Sequence, residues 1–170
     1  AVTKVITDQG DIQTECVVNA AGQWSPRIGQ MVGVHLPIVS MMNQYLTTKP
    51  IAGHALPPDS AVIRDPDNLF YCREDVGAFL VGGFETNPKP WSIEGVPWDF
   101  TQELLPGEWE LFEGIMEGAM KRIPLLNEAE VIELINGPDA FTPDGYYALG
   151  PVPGLTGFYV PAGGSDNGIA

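Results

Sequence analysis

The sequence predicts a mixed α+β fold: a largely antiparallel sheet with one amphipathic helix, flanked by two shorter pieces of parallel, ligand-facing character. Three observations predict it. Short apolar runs at residues 61–64, 69–74 and 78–84 are separated by Asp65-Pro66-Asp67-Asn68 and Asp75-Val76-Gly77, turn chemistry between consecutive antiparallel strands. Phe112, Ile115, Met116, Ala119, Met120 and Ile123 trace one stripe of a helix. Residues 16–26 pass from β-branched strand formers through small residues to a helix start.

Taken in order, residues 2–6 and 12–19 are strand candidates joined by Thr7-Asp8-Gln9-Gly10-Asp11, a hairpin-type turn. Val17 and Val18 suit a strand buried on both faces. Asn19-Ala20-Ala21-Gly22 has almost no side-chain bulk, so another body can approach its backbone. Ser25 is placed to cap a helix that Pro26 opens, Ile28, Met31 and Val32 fall at helical spacing, and Gly33 is placed to end it. A strand running through small residues into a helix is a common way for α/β folds to receive a ligand at a strand's carboxyl end. The plain alternative is a tightly packed strand-turn-helix.

Residues 36–48 form a long extended segment. Val39, Met41, Asn43, Tyr45 and Thr47 share one face, and Ile38, Ser40, Met42, Gln44 and Leu46 the other. Both faces are mostly apolar, which predicts a central strand. Residues 50–58 read as a loop, and the three short strands follow. Residues 87–106 hold Pro88, Pro90, Pro97 and Pro106, which makes the segment irregular. The helix of residues 107–123 has Glu108 and Glu110 in its first turn and Lys121 and Arg122 in its last, matching the macrodipole, and Pro124 stops it. It carries no chemistry. Residues 131–136 and 158–162 are further strands, with Phe141-Thr142-Pro143-Asp144-Gly145 as a turn-rich loop between them. There is no internal repeat.

Apolar residues make up 44% of the chain, so it is globular rather than disordered. Lys and Arg number 8 against 22 Asp and Glu, a formal charge of −14, which argues against a nucleic acid or an anionic membrane surface as partner. No apolar run is long enough to span a bilayer. Cys16 and Cys72 lie in apolar runs without metal-ligand spacing, which predicts buried free thiols in a reducing compartment. The chain opens within a sheet pattern and closes on Gly163-Gly164-Ser165-Asp166-Asn167-Gly168-Ile169-Ala170, a loop about to enter a helix, so an internal fragment of a longer protein is expected.

No Cys-His metal cluster, nucleophile elbow or phosphate loop is present, and no metal site is expected. His35 and His54 sit near loops as surface residues. If the chain serves an enzyme, a cofactor performs the hard chemistry.

Several runs follow one another in the order of one family: Val17-Val18-Asn19-Ala20-Ala21-Gly22-Gln23-Trp24, Gln44-Tyr45-Leu46-Thr47-Thr48, Tyr71-Cys72-Arg73, Val81-Gly82-Gly83-Phe84-Glu85, Asn136-Gly137-Pro138, Phe141-Thr142-Pro143-Asp144-Gly145 and the terminal Gly-rich loop. The chain resembles the FAD-dependent dimethylglycine and sarcosine dehydrogenases, within the wider D-amino-acid-oxidase-like flavoproteins, over nearly its whole length. The resemblance implies a FAD-binding domain in part at residues 1–33, a substrate-binding domain at 34–157 and a return into the FAD-binding domain at 158–170. The family's GxGxxG turn is absent, so the ADP half of the site is expected upstream of Ala1.

By the same resemblance, Gly22, Trp24, Gly164, Ser165, Asp166, Asn167, Gly168 and Ile169 contact the cofactor. Glycines would let backbone N–H groups approach the flavin edge, and a following helix start would stabilise negative charge on the reduced ring. A bare Gly-rich turn is the alternative. Tyr45 matches a tyrosine lining the substrate pocket; the alternative is a strand tyrosine filling the core. Two residues earlier the dehydrogenases usually carry a histidine near the amine. Asn43 stands there instead, and an amide hydrogen-bonds but takes no proton at neutral pH. Arg73 is a candidate partner for a substrate carboxylate, or else pairs on the surface with Glu74 or Asp75.

The resemblance therefore implies part of an FAD-dependent amine dehydrogenase or oxidase, with Tyr45 and Asn43 at the reacting amine. Hydride would pass from an N-methyl carbon to flavin, leaving an iminium that hydrolyses or is captured by folate on a domain outside this chain. The expected location is cytoplasmic, or the mitochondrial matrix in a eukaryote. A non-catalytic regulatory relative that keeps the flavoprotein fold is the other implied reading.

Overall fold

The computed structural model describes residues 1–165. It is a mixed α+β structure of ten strands and two α-helices among the described residues. They form two compact units. One comprises Ala1–Met41, Pro90–Thr101 and the chain from Asp139; the other comprises Met42–Lys89 and Gln102–Pro138.

In the first unit, β1 (Lys4–Thr7) and β2 (Gly10–Gln13) form an antiparallel hairpin. The expected strand of residues 12–19 is broken in two. Thr14 Oγ1 accepts from Cys16 N–H (3.2 Å) and donates to Cys16 O (2.8 Å), a local turn that competes with the ladder. The chain then resumes as β3 (Val17–Val18). The break leaves Cys16 exposed, which corrects the expectation of a buried thiol; neither cysteine is in a disulfide. A 3-10 turn over Gly22–Trp24 leads into α1 (Ser25–Met31). Ser25 lies inside this helix and makes no capping hydrogen bond; Trp24 holds the N-cap position. The helix ends ahead of Gly33, at φ 72°.

Two later strands complete this unit. β10 (Phe158–Ala162) runs parallel to β3 and antiparallel to β9 (Ala148–Pro151), in the order β3-β10-β9. Leu36, Ile38, Ala140, Phe158, Val160 and Ala162 form its buried core. The proline-rich segment crosses α1. Trp24 Nε1–H donates to Pro97 O (2.8 Å), Arg27 donates to Val96 O (2.7 Å), and the Arg27 guanidinium stacks 4.4 Å from the Trp98 ring.

The second unit is built on a five-stranded sheet in the order β5-β6-β7-β4-β8, formed by β4 (Val39–Thr48), β5 (Ile63–Asp65), β6 (Phe70–Asp75), β7 (Ala78–Gly83) and β8 (Val131–Phe141). β4 is interior, as its two apolar faces require. Asp75 pairs with Ala78, so Val76-Gly77 is a two-residue hairpin loop. Both loop residues have positive φ, 51° and 78°, the geometry that follows the natural twist of the strands. The helix α2 (Trp109–Arg122) buries Phe112, Ile115 and Ala119 against one face of the sheet, where Leu46, Phe70, Cys72 and Val81 complete the core. Gln44, 1% exposed, ties the strand to the helix start. Its Oε1 accepts from Glu108 N–H (2.8 Å), and its Nε2 donates to Glu108 O (3.3 Å) and Glu85 Oε1 (3.1 Å).

Candidate functional site

In the first unit the parallel pair β3 and β10 releases two loops from adjacent carboxyl ends, the position at which open α/β sheets receive ligands. The β3 end is held by Asn19 N–H donating to Tyr159 O (2.8 Å). Asn19 is 3% exposed. Its Nδ2 donates to Ser25 O (2.9 Å), which turns the chain into α1, while its Oδ1 has no hydrogen-bond partner among the described residues. Ser25 Oγ, fully buried, also has none among them, nor has Gln23 Oε1. Three such oxygens within the stretch Asn19 to Ser25 are costly unless something supplies their partners. Gly22, at the start of the turn, faces open space, and Trp24 is half-buried with its indole N–H engaged on Pro97.

At the β10 end, Gly163 (φ 71°) fits closely: a Cβ there would lie 2.6 Å from Thr142 Cγ2 and 3.2 Å from Ile38 Cγ1. Gly164 is half-buried. Ser165 is buried with φ 46°; its N–H donates to Ala140 O (3.0 Å) and its Oγ accepts from Thr142 N–H (3.3 Å). Asp166, Asn167, Gly168 and Ile169 lie outside the described residues. The structure thus brings Gly22 and Trp24 to one strand end, and Gly164 and Ser165 to the end of its parallel neighbour.

The second unit holds the remaining sequence-predicted residues on the sheet face opposite α2. Asn43 and Tyr45 alternate onto that face of β4 and are half-buried. Tyr45 pairs with Gly82 of β7, Gly82 with Tyr71 of β6, and Tyr71 with Arg64 of β5, so these residues form one row across the sheet. Arg73 shares the face one row along, through Leu80. It is exposed, and its guanidinium donates to Glu74 O (2.9 Å) and Asp75 Oδ1 (3.3 Å), the surface geometry named above as the alternative.

Tyr71 was not singled out by sequence reasoning. Its ring leans over Gly82, where an added Cβ would overlap Cζ and Oη and lie 2.9 Å from Cε1. The phenol is therefore displaced from β6 toward β4, the strand that carries Tyr45. The signal was present: Tyr71 and Gly82 stand equally far from the two-residue hairpin loop. The strong pKa shift is away from these places, at Cys72, whose thiol burial pushes up to about 11. No cluster of metal-ligating side chains occurs among the described residues.

The sequence matches, over residues 1–170, the family described as "DAO: FAD dependent oxidoreductase". It is 39% identical over 168 residues to human mitochondrial sarcosine dehydrogenase, covering 99% of this chain and 18% of that protein. It is 33% identical over 165 residues to mouse mitochondrial dimethylglycine dehydrogenase, covering 94% and 19%. The mouse mitochondrial pyruvate dehydrogenase phosphatase regulatory subunit is 35% identical over 171 residues, with coverage of 99% and 19%. Among solved structures, L-proline dehydrogenase from P. horikoshii superposes with a TM-score of 0.73 at 26% identity, covering 98% of this chain and 41% of that one. The chain spans less than a fifth of the length of the sarcosine dehydrogenase it matches.

Proposed function

The chain belongs to the FAD dependent oxidoreductase family, and from that premise we propose that it is part of a flavoenzyme oxidising an N-methyl amine of the sarcosine or dimethylglycine type. The observation that carries the cofactor half of this reading is the set of three buried oxygens, Asn19 Oδ1, Gln23 Oε1 and Ser25 Oγ, left without a partner among the described residues at the ligand-receiving end of β3. They fit a polar, many-armed ligand such as FAD. Asn19, Gly22, Trp24, Gly164 and Ser165 would hold it, with Asp166, Asn167, Gly168 and Ile169 completing the set expected from the sequence. FAD, when bound, supplies the two-electron acceptor, by hydride transfer from the N-methyl carbon, that no side chain here provides.

The chain's own residues would bind and orient the amine. Tyr45 and Tyr71 offer phenol hydroxyls on one row of the sheet, each able to donate and accept. Asn43 Oδ1 can accept a hydrogen bond from a substrate ammonium but cannot take its proton. That proton would leave to water or to a group outside this pair. The proposal carries forward residues 1–33 and 158–170 as FAD-binding and 34–157 as substrate-binding; the compact units draw 34–41, 90–101 and 139–157 in with the former. A folate-carrying domain elsewhere in the protein, and a matrix location in a eukaryote, belong to the same proposal.

The second reading is a regulatory protein that keeps the fold. It is favoured by the similarity to a phosphatase regulatory subunit and by Asn43, an amide where the resemblance read from the sequence implies a histidine. Anaerobic titration of the full-length protein with sarcosine and dimethylglycine separates the two. Bleaching of the flavin absorbance is the expected result. A full-length protein whose flavin no amine bleaches, or that takes up no FAD, would overturn the enzyme and favour the regulatory protein.

A further inference from the structure

We propose that Gly82 is the positioning residue of the amine-binding face: its missing side chain seats the Tyr71 ring, and so sets where the Tyr71 hydroxyl meets the substrate. This inference rests on the reading of that face as the substrate side.

Gly82 is not required by its backbone. It is absent from the positive-φ glycines, unlike Gly77 only five residues earlier, so an ordinary L-residue could adopt its conformation. It also lies in a fully buried strand, where glycine costs stability and packs nothing. The first obstacle to a side chain is Tyr71: all three of the nearest atoms to an added Cβ belong to its ring and hydroxyl. The neighbouring Gly83 differs, since a Cβ there would meet Leu69 O and the Ile115 side chain on the core face. Two adjacent glycines therefore serve opposite faces of β7, one for helix packing and one for the Tyr71 seat.

The row geometry gives the seat its consequence. Neighbouring strands lie about 4.8 Å apart, so β6 and β4 are separated by twice that, with β7 between. An upright Tyr71 would leave its hydroxyl over its own strand. Folded across Gly82, the ring carries the hydroxyl over β7, into the space beside Tyr45. Even a methyl group at position 82 would push the ring back. The size of residue 82 thus acts on the substrate through Tyr71.

A tyrosine laid over a strand glycine also stabilises a sheet, so the test needs a readout that packing does not move. In the full-length protein, Gly82→Ala, Tyr71→Phe and their combination are titrated with sarcosine and dimethylglycine, following flavin reduction. Tyr71→Phe keeps the ring in its seat and removes only the hydroxyl. Each single change is expected to raise the amine concentration for half-reduction about tenfold, the worth of one hydrogen bond of about 1.4 kcal/mol. The combination is expected to be no worse than either alone, because both remove the same contact. Additive losses, or Gly82→Ala reducing like the parent, would overturn the proposal.

Melting midpoints of the same proteins decide the seat without any substrate. Gly82→Ala is expected to lower the midpoint of the parent and to cost far less in a Tyr71→Ala background, a rescue that follows because no ring is then left to displace. Failure of that rescue would also overturn the proposal. A parent protein that ignores every N-methyl amine while the rescue holds would sink the functional reading and the substrate role together, and would leave only the seat.

Discussion

Replacing Val76 should stabilise the protein, a rare sign for a substitution in a natural chain. Val76 occupies the left-handed region at φ 51° and is 88% exposed. The left-handed conformation costs an L-residue roughly 1–2 kcal/mol, and a β-branched side chain sits at the upper end of that range. Exposure means that almost no packing is lost with the isopropyl group. Asparagine tolerates this conformation and, followed by glycine, is the preferred sequence of this hairpin loop. Val76→Asn is therefore expected to add about 1 kcal/mol. Glycine at the same place would relieve the same strain but give back about 0.5–1 kcal/mol as unfolded-chain entropy. Equilibrium urea unfolding should show a raised midpoint at unchanged slope, and melting should rise by about 2–4 °C. Val76→Thr keeps the β-branch and should gain little. An asparagine variant no more stable than the parent, or a threonine variant equal to it, would show that the loop is not strained.

Gln44→Leu removes the acceptor for the Glu108 N–H and the donor to Glu85 while keeping the volume, and should cost about 2–4 kcal/mol; urea unfolding within 0.5 kcal/mol of the parent, on the order of the scatter for surface changes, would mean that the strand-to-helix tie is idle. Cys16 should alkylate at pH 8 in the folded protein while Cys72 stays silent, because burial raises the Cys72 pKa from 9.0 to about 11. The protonated thiol is the form the fold favours, so its stabilising contribution is complete below pH 9.0 and fades as the pH rises toward 11. Mass spectrometry of iodoacetamide-treated protein counts the labels, and equal labelling of both would contradict the burial. In the full-length protein, Asn43→His should introduce a near-neutral titration into amine-dependent flavin reduction, and Tyr45→Phe should slow reduction more than it weakens FAD binding; pH profiles identical to the parent for both would place these residues in the core rather than the site.

Local chemistry made the second unit easy to read. The strands at 61–64, 69–74 and 78–84 and the helix at 107–123 appear within a few residues of their expected bounds, because alternation, turn residues and Pro124 all act locally. Reading failed where side chains redirect the backbone. Thr14 bonds Cys16 at both its N–H and its carbonyl and splits one expected strand, which also exposes the thiol. Ser25 has cap chemistry, yet the preceding 3-10 turn starts the helix a residue early and buries it. β9 (Ala148–Pro151) escaped notice because Gly150 and Pro151 are poor strand formers; it exists as the edge partner of β10. The site was legible as separate stretches, since Asn19-Ala20-Ala21-Gly22 and the terminal glycines carry small-residue signals. Their adjacency was not, because it depends on a parallel pairing between distant strands. Tyr71 needed one further step, the pairing register of a hairpin that was itself foreseen.

The pairing of β3 with β10 also bears on how the chain comes off the ribosome. Val17 and Val18 leave the ribosome well before Phe158, where the strand that pairs with them begins. Until then β3 lacks this partner, while the β6–β7 hairpin and α2, built from neighbours in sequence, can already have formed. Synthesis from the N-terminus thus completes the hairpin and the helix before the carboxyl ends of β3 and β10 stand side by side. A nascent chain stalled short of Phe158 would hold the β6–β7 hairpin and α2 but not the paired strand ends from which the two loops leave.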